Sequence, residues 1–202
     1  MSYASAVTSR YPASVKRSTS LASVDGLQLM YTTRSGCIAA ISCTTDSATP
    51  FPLWACNNQE TNRYANNSLV SERALREIYL KGFGICIKEA DPASVMTSYN
   101  LINGTHTSES FELTTNILRD EFGFKGLVMT DWVIASDFLM KDPKYPAPDA
   151  ARVAKAGCSL FMPGSKKEFS QIMEGLKNGS VSREQLQRNA AWLLKVSERL
   201  GK

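Results

Sequence analysis

Two short runs with strand composition, Ser94-Val95-Met96-Thr97-Ser98-Tyr99 and Leu127-Val128-Met129-Thr130, stand on either side of a single helical stretch. Between them Phe111, Thr114, Ile117, Leu118 and Phe122 recur at helical spacing, and Gly123 sits where a C′ glycine would end that helix. The order strand, helix, strand leaves few solutions: the strands lie parallel, side by side, joined by a right-handed crossover. Parallel neighbours carry their C-terminal ends on one edge. Tyr99 and Asp131, far apart in sequence, are therefore expected at one crevice.

The second run is continuously apolar, as a strand covered on both faces should be, and it ends in Asp131 followed by Trp132. Side chains at the carboxyl end of a parallel sheet project into the crevice where such sheets hold ligands. A carboxylate there can do chemistry, and an indole beside it can form an apolar floor. An aspartate that merely caps the following loop fits these residues equally well.

The alternation continues along the chain. Ser71 can cap a helix with Leu75, Ile78, Tyr79 and Cys86 on its buried face, and Asn103-Gly104 is a turn signal. Residues 149–155 read as a short helix stopped by Gly157, and residues 159–162 as a third strand closed by Pro163-Gly164. Phe169, Ile172, Met173 and Leu176 mark the next helix, ended by Asn178-Gly179. Ser182-Arg183-Glu184-Gln185 has the form of a capping box, opening a last helix with Leu186, Ala190, Leu193, Leu194 and Leu200 on one side. Alternating strands and helices mean α/β, as a barrel or an open parallel sheet.

Residues 94–132, with Asn57-Asn58-Gln59-Glu60-Thr61-Asn62-Arg63 and the run 71–80 before them, resemble the catalytic barrel of glycoside hydrolase family three, in its β-glucosidase and β-xylosidase branch. The resemblance covers about residues 54–202. It implies a partial (β/α)8 TIM-type barrel, about its last half, over residues 51–202. It also implies a retaining glycosidase whose nucleophile is Asp131, acting on a β-linked saccharide or aryl glycoside. Such a mechanism needs a second carboxyl group about 5–5.5 Å away to protonate the leaving oxygen. By the same resemblance Arg63 binds sugar, the Tyr99 hydroxyl lies against the nucleophile, and Met96 and Trp132 form apolar walls of the sugar subsite. Each residue also has a plain structural reading: Arg63 a surface ion pair, Tyr99 a strand-end core aromatic, Met96 barrel filling, Trp132 a loop anchor.

Several positions depart from the family pattern. Pro52 and Leu53 stand where the family has a Lys-His pair that binds sugar hydroxyls, and neither side chain can donate a hydrogen bond. Ser159 replaces an acidic residue ahead of Met162-Pro163-Gly164. Residues 1–50 do not match at all and form an atypical segment with seventeen Ser and Thr and six charges. Within it, residues 27–31 and 37–42 read as strands, the second standing in for a barrel strand. The abrupt loss of resemblance suits a truncated, rearranged or out-of-frame upstream coding region. A full barrel typically needs ~250 residues, against 202 here. The family's acid/base comes from beyond the barrel, so no carboxylate of this chain takes that role by resemblance; Glu60, Glu109 and Asp137 read as solvated or capping residues. Half a barrel also exposes sheet edges that invite self-association.

Composition bounds what remains. Hydrophobic residues at 43% and charged residues at 21% suit a soluble globular protein. A net charge of +4 without a basic cluster or RNA-reading motif argues against nucleic acid. No apolar stretch spans a membrane and no secretory h-region opens the chain, which makes the cytoplasm the default location. Five cysteines lack metal-ligand spacing, are odd in number and read as reduced, buried thiols; nothing calls for a metal or a cofactor. His106, the single histidine, reads as solvated in a polar turn, and residues 142–148 as a surface loop near the pocket rim. Two readings follow: a β-glycosidase working through Asp131, or an inactive remnant that at most binds carbohydrate.

Overall fold

Three parallel strands carry the architecture. The computed structural model describes residues 55–59, 61–134 and 144–200, together with strands β1 (Thr19–Val24), β2 (Leu27–Thr32) and β3 (Ala40–Ser42). The expectations placed on Pro52, Leu53, Glu60, Asp137, Cys37 and Cys43 lie outside the described residues. Of the two strands expected upstream, the first is present as β2 and the second over Ala40–Ser42 as β3. The second of them does not stand in for a barrel strand: β3 pairs antiparallel with β2, which pairs antiparallel with β1, in a sheet of their own.

The parallel sheet has the order β5 (Ser94–Met96), β8 (Leu127–Trp132), β9 (Leu160–Met162). Ser94, Val95 and Met96 stand opposite Leu127, Val128 and Met129, the crossover pairing the sequence order requires. Gly126 makes this pairing possible, since a Cβ there would lie 2.4 Å from the Ala93 carbonyl oxygen. Val95 and Val128 face the main core with Phe83, Ile87, Ile117 and Leu118 from the helices. Met96, Leu127 and Met129 form a second cluster with Ala93 and Val196. Alternate residues thus serve opposite faces, as the two-residue period of a strand demands. A smaller sheet joins β4 (Asn67–Ser68) parallel to β6 (Leu101–Ile102), and β6 turns through Asn103 (φ +50°) and Gly104 (φ +87°) into antiparallel β7 (Thr105–His106). The turn signalled by Asn103-Gly104 is therefore a hairpin turn, of the kind that requires positive φ at both central residues.

The helices begin and end where their caps say. Ser71 accepts from the Ala74 N–H to open α1 (Glu72–Ala74), which runs through a π-type turn, Leu75–Tyr79, into α2 (Lys81–Ala90). The crossover helix Glu112–Glu121 is likewise wide, with the Phe122 N–H on the Ile117 carbonyl at 2.9 Å, and Gly123 follows at φ +74°. Asp149 caps α3 (Ala150–Ala156), Ser165 caps α4 (Lys166–Asn178), and Ser182 and Gln185 bond reciprocally ahead of α5 (Arg183–Leu200).

The expected buried faces need correction in four helices. Ile78 is 63% exposed and Leu80 fully buried, because the Leu80 N–H closes on the Leu75 carbonyl five residues back and turns Leu80 inward. In the crossover helix Phe111 faces out and Leu113 in. On α4, Phe169 and Met173 are exposed, while Gly175 packs onto Ala151. On α5, Leu193 and Leu194 are exposed and Asn189 and Val196 are buried. Asn189 donates to the carbonyls of Ala154 and Cys158 at 2.7 and 3.0 Å, so this face is selected by the carbonyls it must satisfy.

Candidate functional site

Asp131 lies one residue before the end of β8, at a break in the ladder. Between Met129 and Trp132 β8 advances three residues while β9 advances two, from Leu160 to Met162. The extra residue is a bulge, a device that re-aims side chains beside functional sites. Thr130, fully buried, fills the gap in the ladder: its Oγ1 accepts from the Met162 N–H at 2.9 Å. Beyond it the Val133 N–H reaches the Met162 carbonyl at 2.7 Å with Val133 at φ +60°, a strained conformation for a β-branched residue.

The Asp131 side chain is buried, and its Oδ1 accepts from the Trp132 N–H at 2.7 Å. Such a bond stabilises the ionised carboxylate. Trp132 itself is half exposed, at 52%, and can offer an apolar surface to a ligand. Tyr99, three residues past β5, donates its hydroxyl to the Trp132 carbonyl at 2.8 Å. Burial pushes the Tyr99 phenol well above its usual range; the negative charge of Asp131 and a hydrogen bond with it push the same way, while Arg63 pulls it down. Tyr99 and Asp131 therefore meet at one edge, as the crossover implies.

Arg63 lies over two rings, 5.0 Å from the centroid of Tyr64 and 5.2 Å from that of Tyr99, and donates to the Tyr64 hydroxyl at 3.0 Å. Tyr64 and Tyr99 meet edge to face at 4.6 Å. Tyr64 is the member of this group that sequence reasoning missed; an aromatic adjoining the arginine was the available signal. Met96 is opposite Met129 inside the second apolar cluster, a packing position beneath the edge that carries Asp131.

His106 is not solvated. It is 5% exposed, because residues 144–148 fold over the β6–β7 hairpin: the His106 Nε2 meets the Pro146 carbonyl at 2.9 Å, and the Asn67 amide donates to the Tyr145 hydroxyl at 3.0 Å. Glu109 is bonded to Arg152 and to the Asp149 N–H, a structural role. Cys56, Cys86 and Cys158 are buried. Among the described residues no cluster of His, Cys, Asp and Glu could hold a metal ion, and no helix is long and apolar enough to cross a membrane.

Residues 57–196 match the family model described as "Glycosyl hydrolase family 3 N terminal domain". "Beta-glucosidase B" of Emericella nidulans is 39% identical over 149 residues, which are 73% of this chain and 16% of that protein. The "Exo-alpha-(1->6)-L-arabinopyranosidase" of Bifidobacterium longum is 39% identical over 141 residues, 70% of this chain and 17% of that protein. Among solved structures, beta-glucosidase 3B from Thermotoga neapolitana in complex with glucose is similar with a TM-score of 0.63 at 41% identity, covering 72% of this chain and 20% of that one. The chain thus spans about a sixth of the length of the curated relatives it matches. The partial-barrel α/β fold is that of these structures.

Proposed function

The chain belongs to glycosyl hydrolase family 3, and from that membership we propose that it carries the nucleophile of a retaining glycosidase site for β-glucosides or β-xylosides. The observation that carries this reading is the buried Asp131 at the carboxyl edge of β8, bonded by the Trp132 N–H and flanked by Tyr99. One carboxylate oxygen attacks the anomeric carbon of a β-linked saccharide or aryl glycoside. The bond to the leaving oxygen breaks as an acid protonates it, and a glycosyl ester forms on Asp131. Water then cleaves that ester with retention of configuration. Arg63 binds hydroxyls of the sugar, and the open face of Trp132 packs against the C–H face of the ring. The relatives' names include a glucosidase and an arabinopyranosidase; the gluco or xylo preference rests on resemblance in residues 94–132.

A second observation favours the inactive alternative. Pro52 and Leu53 stand where the family has its sugar-binding Lys-His pair, and neither side chain can donate a hydrogen bond. A 2-fluoro glycoside with an activated leaving group separates the two readings, because such a leaving group departs without protonation. A mass increase of one glycosyl unit, absent in Asp131→Asn, is expected of a working nucleophile. Absence of labelling at millimolar reagent would support the inactive alternative.

A further inference from the structure

At the opposite end of the parallel sheet, where β8 begins, a cleft of about 270 Å³ opens between the crossover helix, the turn after it, α3 and α5. About 13 Å of strand separates the start of β8 from Asp131. Arg119, Lys125, Lys155 and Arg188 line it, with Asp120 as the one acidic side chain. Among the described residues no ion pair engages any of these four cations, whereas Arg73, Arg76, Arg152 and Arg199 each meet a carboxylate. Four like charges against one acid raise the local potential and concentrate counter-ions in the concavity.

Arg119 sharpens the point. Its guanidinium lies 4.4 Å from the Trp192 ring centroid and donates to the carbonyls of Phe124 and Gly126, yet its Nη2 is buried without a partner. Burial and the charge of Arg188 press its pKa down to about 10, which still leaves it a cation at neutral pH. The cleft is smaller than the ~300–1,000 Å³ of ordinary organic-ligand pockets, so its occupant is compact. Guanidinium forks suit oxyanions in bidentate fashion, and lysines add point charges.

We propose that this cleft is a second binding site, for a compact multiply charged oxyanion of the phosphate class, held by Lys125, Lys155 and Arg188, with Arg119 adding its buried charge. The site is independent of the glycosidase reading.

Pyrophosphate titrated calorimetrically into the full chain, with sodium chloride in excess, is expected to bind saturably at one site. Arg188→Gln and Lys155→Gln change exposed side chains and should leave the circular dichroism spectrum intact. Each should weaken binding by about tenfold, the effect of one charge-assisted hydrogen bond, and Asp131→Asn should bind as the unaltered chain does. Glucose 6-phosphate distinguishes the source of the phosphate: displacement of pyrophosphate admits phosphorylated metabolites, and failure to displace it restricts the site to the inorganic anion. No saturable heat at millimolar pyrophosphate, or equal affinity in the double variant, overturns the proposal.

Discussion

The Tyr99 hydroxyl donates to the Trp132 carbonyl at 2.8 Å, tying the chain just past β5 to the residue that follows Asp131. The bond spans the edge of the sheet and holds the main chain on the far side of the bulge. The same hydroxyl lies close enough to Asp131 for the carboxylate to raise its pKa. One phenol therefore both positions the strand end and faces the carboxylate.

Tyr99→Phe keeps the ring against Tyr64 and removes only the hydroxyl. Labelling of Asp131 by the activated glycoside should slow by about tenfold, the value of one hydrogen bond to a charged group. Mass spectrometry over time measures the rate. An unchanged rate would remove Tyr99 from the site's chemistry.

Alkaline behaviour supplies a check that needs no substrate. The folded pKa of Tyr99 lies above the ordinary tyrosine value of about 10, so between the two the unfolded chain has lost a proton that the folded chain keeps. Stability from this group is fully present below pH ~10 and is lost as pH rises through the folded value. Absorbance titration of the folded chain should show a late ionisation step above the ordinary tyrosine range, and Tyr99→Phe should abolish it. A curve in which every tyrosine titrates near 10 refutes the buried placement.

The thiols behave in the same sense. Burial pushes Cys158 up to about 12 and Cys86 up to about 11, the latter with help from Glu89. The thiolate is the reactive form, so at pH 8 neither should react with a thiol reagent in the folded chain. Both should react once urea unfolds it. Peptide mapping identifies the sites, and rapid modification of Cys158 under native conditions would contradict its enclosure beneath Val128 and Leu160.

Much of the frame was legible because it follows from short-range rules. The parallel pairing came from element order, the turn between β6 and β7 from Asn103-Gly104, and the start of α5 from the Ser182–Gln185 box. Helix faces were legible only in part. Leu75, Cys86, Thr114, Ile117 and Leu118 are buried as the spacing implies. Ile78 is exposed, since a 3.6-residue period assumes a regular helix and the turn at Leu75–Leu80 closes five residues back. On α5 the leucines outweighed Asn189 in any apolar reading, yet two carbonyls from another part of the chain select that face. His106 and the bulge at Asp131 likewise depend on partners distant in sequence, Pro146 and Met162.

Asn189 allows that lesson to be measured. Asn189→Leu keeps the branched side-chain skeleton but strips the Ala154 and Cys158 carbonyls of a donor they share at a buried position. Leaving a buried polar group unsatisfied costs about 1–3 kcal/mol. The urea midpoint should fall accordingly, although leucine is the better helix former. A variant as stable as the original would mean that water reaches those carbonyls.

The parallel sheet ends on β5 and β9, and among the described residues no third strand pairs with the outer edge of either. Leu69, Ile78, Phe169 and Leu194 stand 82%, 63%, 66% and 63% exposed. Unpaired sheet edges favour contact between copies. Sedimentation at rising concentration should therefore show species larger than a monomer. Leu194→Lys adds a charge to an exposed apolar position of α5 without touching the Asn189 face, and should shift the population toward monomer if that helix takes part. A chain that sediments as a monomer at every concentration would show that these edges are protected in solution.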